Sequence, residues 1–221
     1  MRRALVIGAS GGIGRALVAE LSARGFEVVG VSRSVDGLDV TDEASVTAVL
    51  GRLEGDFDLI VCATGALEVA GAVPEKSLAQ LSAQAMADQF AVNCIGPALA
   101  LKHSLRLLPK EGRAVVAVLS ARVGSIGDNG LGGWHSYRAA KAAVNQIVRG
   151  ASIEMARSRK GAICVALHPG TVATEFTRKY LGRHPAVAPA EAAGRLVDVL
   201  EGLQPEHSGG FYDYAMKEIP W

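Results

Sequence analysis

The sequence predicts an α/β fold: a single domain built on a doubly wound parallel sheet with helices on both faces. Three observations lead there. Short, almost wholly apolar runs such as Ala4-Leu5-Val6-Ile7 and Arg113–Leu119 recur along the chain, as expected for parallel strands buried on both faces. Segments with helical spacing alternate with them across short links. A glycine-rich turn joins the first run to the first helical segment. The 221 residues suit one domain, and no repeat, low-complexity tract or linker interrupts the alternation. Hydrophobic residues make up 49% and aromatics only 5%, so the core is expected to be Ala, Val, Leu and Ile, with 26 glycines favouring close helix–sheet packing.

In order, Ala4–Ile7 is the first strand and Gly8-Ala9-Ser10-Gly11-Gly12-Ile13-Gly14 the turn. A helix carrying Leu17, Val18 and Leu21 stops at Arg24-Gly25, and Phe26–Val31 is the second strand. Thr41 or Asp42 can cap a helix running to Leu50. Asp56–Cys62 is a strand closed by the small residues Ala63-Thr64-Gly65. After a loop from Leu67 to Ser77, helical spacing runs from Leu78 to Leu108, with room for a break. Arg113–Leu119 is the next strand and Ala121–Trp134 a glycine-rich loop. A long helix is predicted over His135–Arg157, a strand over Gly161–Leu167, a short helix over Glu175–Tyr180, a longer one over Pro189–Leu203, and a last strand over Gly210–Tyr214.

Charge and cysteine usage narrow the function classes. A net charge of +1 with scattered basic residues gives no electrostatic case for a nucleic-acid or membrane partner. Cys62, Cys94 and Cys164 lie far apart inside apolar runs, which is neither a disulfide framework nor zinc spacing, so no metal is expected and the thiols read as free and buried in a reducing compartment. The run after Met1-Arg2-Arg3 is too short for a signal peptide, and no segment reaches transmembrane length uninterrupted. A soluble, cytoplasmic protein is expected.

The candidate site residues follow from chemistry. The strand–glycine turn–helix–strand order is of the dinucleotide-binding kind: the glycines allow a tight turn and let backbone N–H groups approach a pyrophosphate at a helix N-terminus. The second strand ends in Ser32-Arg33-Ser34, with no carboxylate until Asp36. A guanidinium and two hydroxyls suit a ribose 2′-phosphate, with Arg15 as a second charge, so NADP is expected over NAD. Tyr137 and Lys141 stand four apart on the predicted long helix, hence on one face. An ammonium there favours a phenolate and lowers the tyrosine pKa toward a usable acid/base, although such a pair taken alone is commonplace. Ser120 sits at the carboxyl end of a strand, where open α/β sheets bind ligands. Asn93 lies within an apolar helical face, where a buried amide commonly bonds to backbone.

Taken together, Gly8-x-x-x-Gly12-Ile13-Gly14, Asp39-Val40, Asn93, Tyr137-x-x-x-Lys141 and Pro169-Gly170 occur in the order of the short-chain dehydrogenase/reductase family, and the chain resembles that family over essentially its whole length. The loop Gly124-Ser125-Ile126 through Gly132-Gly133-Trp134 and the ending Ile219-Pro220-Trp221 are similar to its C-factor or sniffer-like carbonyl reductase branch. The resemblance implies a Rossmann-type three-layer sandwich and hydride transfer between NADPH and a small carbonyl or alcohol substrate. It implies Tyr137 as general acid/base, Lys141 as the group that depresses its pKa and binds the nicotinamide ribose, a serine on the substrate oxygen, and a water held by Asn93. It places Gly8, Ser10, Gly11, Gly12, Ile13, Gly14, Arg33, Asp39, Val40, Ala63, Thr64, Gly65, Pro169, Gly170, Val172 and Thr174 about the cofactor, and implies a homodimer or homotetramer through the helices Leu78–Leu108 and His135–Arg157.

Two positions depart from the pattern. Cys62-Ala63-Thr64-Gly65 stands where many members carry Asn-Asn-Ala-Gly. The family's catalytic serine, three residues before the glycine matched by Gly124, is Ala121 here, which leaves Ser120 or else Ser125 for the role. The displaced serine, with the C-factor likeness, keeps open a second reading as a dinucleotide-binding signalling protein with weak turnover. The segment from Glu175 to Pro189, with Phe176, Tyr180, Leu181, Arg178, Lys179 and Arg183, is expected to cover the substrate pocket.

Overall fold

A computed structural model describes residues 1–175, 177–181 and 186–221; Phe176 and Arg183 of the expected pocket cover lie outside the described residues. Six parallel strands form one sheet in the order β2-β1-β3-β4-β5-β6. They are β1 (Arg3–Ile7), β2 (Glu27–Val31), β3 (Leu59–Cys62), β4 (Ala114–Leu119), β5 (Ala162–His168) and β6 (Phe211–Asp213). The helices are α1 (Gly12–Ala23), α2 (Arg33–Asp36), α3 (Glu43–Gly51), α4 (Ala83–Phe90), α5 (Gly96–Ser104), α6 (His135–Ser158) and α7 (Pro189–Gly202).

The strands are apolar throughout because both faces are covered. Alternate residues of β4 show the division. Ala114, Val116 and Val118 pack with Val46, Leu101 and Val144 of α3, α5 and α6, while Val115, Ala117 and Leu119 pack with Leu17, Leu21, Leu196 and Leu200 of α1 and α7. This is the predicted doubly wound, three-layer architecture. The chain leaves β1 for β2 on one side and returns to β3 on the other, so the carboxyl ends of β1 and β3 flank the switch point where open α/β sheets bind ligands.

The structure corrects two boundaries. The strand expected from Asp56 begins at Leu59, because Asp58 accepts the Arg3 N–H through its side chain (2.7 Å) and the Phe57 N–H goes to Leu107 O (2.7 Å). The helix expected from Leu78 to Leu108 is broken. Ser82 caps α4, and residues Ala91–Ile95 form a π turn before α5. Pro97 is consistent with the widening: it has no N–H, so the ordinary α-helical bond to the carbonyl four residues back, that of Asn93, cannot come from it.

Candidate active site

The cofactor side is shaped by missing Cβ atoms. Gly8 has a φ of 95°, and a Cβ there would lie 2.9 Å from Ala63 O. One on Gly12 would lie 2.6 Å from Thr174 Cγ2, and one on Gly14 would run into Gly8 O. The glycine turn therefore packs against both Ala63-Thr64 after β3 and Thr174 after β5. Gly11 caps α1 without a side-chain hydrogen bond, and the first turn holds no acidic residue, so its N–H groups face an anion unopposed. These features fit a dinucleotide pyrophosphate.

At the end of β2, Ser32 is buried and Arg33 is exposed. The nearest carboxylate, Asp36, accepts the Ser32 N–H at 2.7 Å and so closes α2 locally. Asp39 accepts both the hydroxyl and the amide of Thr41, bonds that hold its carboxyl below the usual range, with the nearby Arg33 charge adding to this. Val40 lies against Gly96, where a Cβ would come within 2.8 Å. Beyond β5, half-buried Pro169 and Gly170 (φ 80°) lead to buried Val172, which bridges Val187.

Around Gly65, three predicted residues converge. A Cβ there would lie 2.9 Å from Asn93 Oδ1 and 3.5 Å from Lys141 Nζ. The fully buried Asn93 side chain accepts the Ala66 N–H (3.0 Å) and donates to Ala66 O (2.8 Å) and Gln89 Oε1 (2.7 Å). Its side chain thus anchors the loop after β3.

Tyr137 and Lys141 lie in the first two turns of α6, both buried, with Lys141 Nζ 5.8 Å from the phenol ring centroid. Lys141 donates to Leu119 O at 3.0 Å. Burial pushes the Lys141 ammonium down to about 8. Burial also pushes the Tyr137 phenol above its ordinary value, against the expected depression. Lys141 gives its hydrogen bond to the Leu119 carbonyl, and desolvation alone sets the direction of the phenol's shift. Tyr137 is therefore fully protonated at neutral pH, and its hydroxyl bonds to no described residue.

Neither candidate serine brings its hydroxyl to Tyr137. Ser120 keeps the facing of Val116 and Val118 and donates to Asn145 Oδ1 on α6 at 2.6 Å. Ser125 donates to Pro220 O and accepts the Asp128 N–H. Ala121, extended at φ −146°, carries no donor. His168 at the end of β5 has a buried Nδ1 without a partner among the described residues, and burial pushes it down to about 4, so the ring is neutral.

Sequence reasoning missed the carboxylates that organise this side. Buried Glu75 accepts the Ser136 hydroxyl and amide, and its carbonyl accepts the Trp134 N–H, so a residue from a distant loop caps α6. Burial works to raise its pKa, but the Ser136 bonds, its own backbone amide and the nearby His135 charge together leave it lowered. Glu68 accepts Tyr180 Oη (2.7 Å) and Lys179 Nζ (2.8 Å). Gln89, one helical turn before Asn93, is its side-chain partner at a spacing the sequence displays. Among the described residues no cluster of His, Cys, Asp or Glu could hold a metal, and no helix is long and apolar enough to cross a membrane. A cavity of about 540 Å³ opens on another flank of α6, lined by Gln146, Arg149, His207 and Tyr212; it includes neither Tyr137 nor Lys141.

Comparison with known proteins gives the family and the fold. The sequence pattern described as short chain dehydrogenase matches residues 2–183. The 1-hydroxy-2-glutathionyl-2-methyl-3-butene dehydrogenase of Rhodococcus sp. (strain AD45) is 34% identical over 233 residues, covering all of both chains. The C-signal protein of Myxococcus xanthus is 38% identical over 137 residues, 62% of this chain and 78% of that one. The NADPH-bound carbonyl reductase from chicken fatty liver superposes with a TM-score of 0.80 at 25% identity, over 100% of this chain and 99% of that one.

Proposed function

The chain belongs to the short-chain dehydrogenase family, and on that premise we propose that it is an NADP-dependent oxidoreductase that interconverts a small carbonyl compound and an alcohol. The observation that carries the reading is a buried Tyr137 one helical turn from Lys141, whose Nζ lies 5.8 Å from the phenol ring, together with a glycine turn whose uncapped helix end fits a pyrophosphate. The glycine turn from Gly8 to Gly14, with Ser10 in it, would hold the phosphates with Thr174. Arg33 would meet a 2′-phosphate. Asp39 and Val40 would border the adenine, and Ala63, Thr64, Gly65, Pro169, Gly170 and Val172 would enclose the remainder. Bound there, NADPH supplies a hydride.

The protein's own residues then do the rest. Tyr137 donates its proton to the substrate oxygen, and in the reverse direction removes one from the alcohol. Its place in the first turn of α6 favours the negative charge that develops on it, by roughly 0.3–1 kcal/mol. Lys141, charged below about pH 8 and with Nζ 5.8 Å from the phenol ring, would stabilise that phenolate. A water on the Asn93 carbonyl would reprotonate Lys141. Neither Ser120 nor Ser125 has a hydroxyl to spare for the substrate oxygen, so Tyr137 would be its chief hydrogen-bond donor. Exposed Ile95, Ile147 and Ile153 on the outer faces around α5 and α6 support assembly as a dimer or tetramer through these helices.

The test is NADPH oxidation over a panel of aldehydes and ketones, repeated with NADH. The proposal expects turnover with NADPH preferred. Tight NADPH binding with no turnover on any of them would instead favour a signalling role.

A further inference from the structure

The segment ahead of Tyr137 is held in an unusual conformation for which core packing gives no reason. Gly132, Gly133 and Trp134 have φ values of 65°, 65° and 51°. Left-handed backbone is natural for the glycines but strained for a tryptophan, and strain of that kind concentrates at ligand-binding positions. Trp134 is only half-buried. Its ring meets Tyr137 edge-on, with centroids 6.3 Å apart at 73°, and Tyr180 at 5.7 Å and 77°. The turn is fastened from outside: the Trp134 N–H goes to Glu75 O, Arg138 Nε goes to Gly133 O at 3.0 Å, and Glu68 holds the Tyr180 hydroxyl.

We propose that Trp134, Tyr137 and Tyr180 form an aromatic wall that selects carbonyl compounds carrying an aryl or conjugated alkenyl group beside the reacting carbon, with Glu68 as its positioning residue. This rests on the reading of Tyr137 as proton donor. A carbonyl oxygen within hydrogen-bonding distance of Tyr137 places its substituents next to the indole, since the two rings are in contact. Flat π systems pack well against such a surface in offset or edge-on geometry, whereas a flexible alkyl chain loses more conformational freedom in doing so. Among the described residues the charged groups named beside the wall already have partners: Glu68 with Lys179 and Tyr180, Glu75 with Ser136, Arg138 with Gly133 and Val123 carbonyls, and Arg122 with Asp128 and Asp213. A charged head group would find little to pair with among the described residues beside the wall.

The test compares kcat/KM for benzaldehyde and butanal, with NADPH affinity measured in parallel. Wild type is expected to favour benzaldehyde by about tenfold or more. Trp134→Ala is expected to remove most of that ratio, chiefly through KM, while Trp134→Phe retains it. Glu68→Gln is expected to raise the benzaldehyde KM about threefold with NADPH affinity and kcat unmoved. A second readout does not depend on turnover. In Trp221→Phe, Trp134 is the sole remaining tryptophan, and acetophenone should quench its emission saturably in the NADP-loaded protein while butanone does not. Saturable quenching without turnover of any carbonyl supports the wall and overturns the reductase reading. Turnover with no aromatic preference, or a ratio that Trp134→Ala leaves unchanged, overturns the wall and leaves the reductase reading standing.

Discussion

The carboxyl edge of the sheet is built in two ways. At β1 and β3 the site is formed by backbone and by what side chains leave out. Gly8, Gly12 and Gly14 each sit where a methyl group would strike a neighbour, and α1 starts with bare N–H groups. At β4, β5 and β6 the site is formed by side chains tied down from a distance, with Glu75 on Ser136, Glu68 on Tyr180 and Arg122 on Asp213. The first construction admits one ligand shape and tolerates almost no added atom. The second can be retuned residue by residue, which suits a fold that keeps its cofactor and varies its substrate.

Perturbing each half should expose that contrast. The largest effect is expected from Gly14→Ala, whose Cβ would meet the Gly8 carbonyl in fixed backbone. Loss of stability on the order of 3 kcal/mol and loss of NADPH binding should follow, read by urea unfolding and cofactor titration. Lys141→Met should abolish turnover yet stabilise the fold by about 1–3 kcal/mol, because it removes a buried ammonium. The sign follows from linkage. Its folded pKa of about 8 lies below the ordinary 10.5, so the folded state binds fewer protons in that window. This group's penalty is complete below about pH 8 and is relieved as pH rises toward about 10.5, a gain in stability that the variant should lack. Arg33→Ala should weaken NADPH binding by roughly 1.5–3 kcal/mol and leave NADH nearly unchanged; equal losses would contradict the 2′-phosphate assignment. The smallest change is expected on the adaptable side. Ala121→Ser adds a hydroxyl to a half-buried, extended residue and should be tolerated in thermal unfolding. It should raise kcat by roughly tenfold, since one aligned donor to a developing oxyanion carries at least that much.

The same contrast decided what the sequence made legible. The strands were readable because burial on both faces leaves only apolar residues, and the glycine turn because glycine is the residue the tight approach requires. Tyr137 and Lys141 were readable from helical spacing. A break between Leu78 and Leu108 was allowed for, but its place and its π geometry at Ala91–Ile95 were not, since a proline near the start of a helix and one that widens a turn look alike in one dimension. The capping of α6 by Glu75 was hidden for a different reason: its partner, Ser136, is 61 positions away. Ser120 illustrates the limit most plainly. Its place at a strand end was correct, but the alternation of β4 directs its hydroxyl to Asn145. The sense of the Tyr137 shift also needed coordinates, because spacing gives proximity to Lys141 but not the desolvation that opposes it.

The β1–β3 side of the carboxyl edge is assigned to the dinucleotide and the β4–β6 side to the proton. The most direct measurement follows NADPH affinity and single-turnover NADPH oxidation together in Tyr137→Phe. The account expects the dissociation constant to stay within about threefold of wild type while the oxidation rate falls by about 10²-fold or more, as for loss of a general acid. An oxidation rate that survives the substitution, or an affinity that collapses in step with it, would contradict that division.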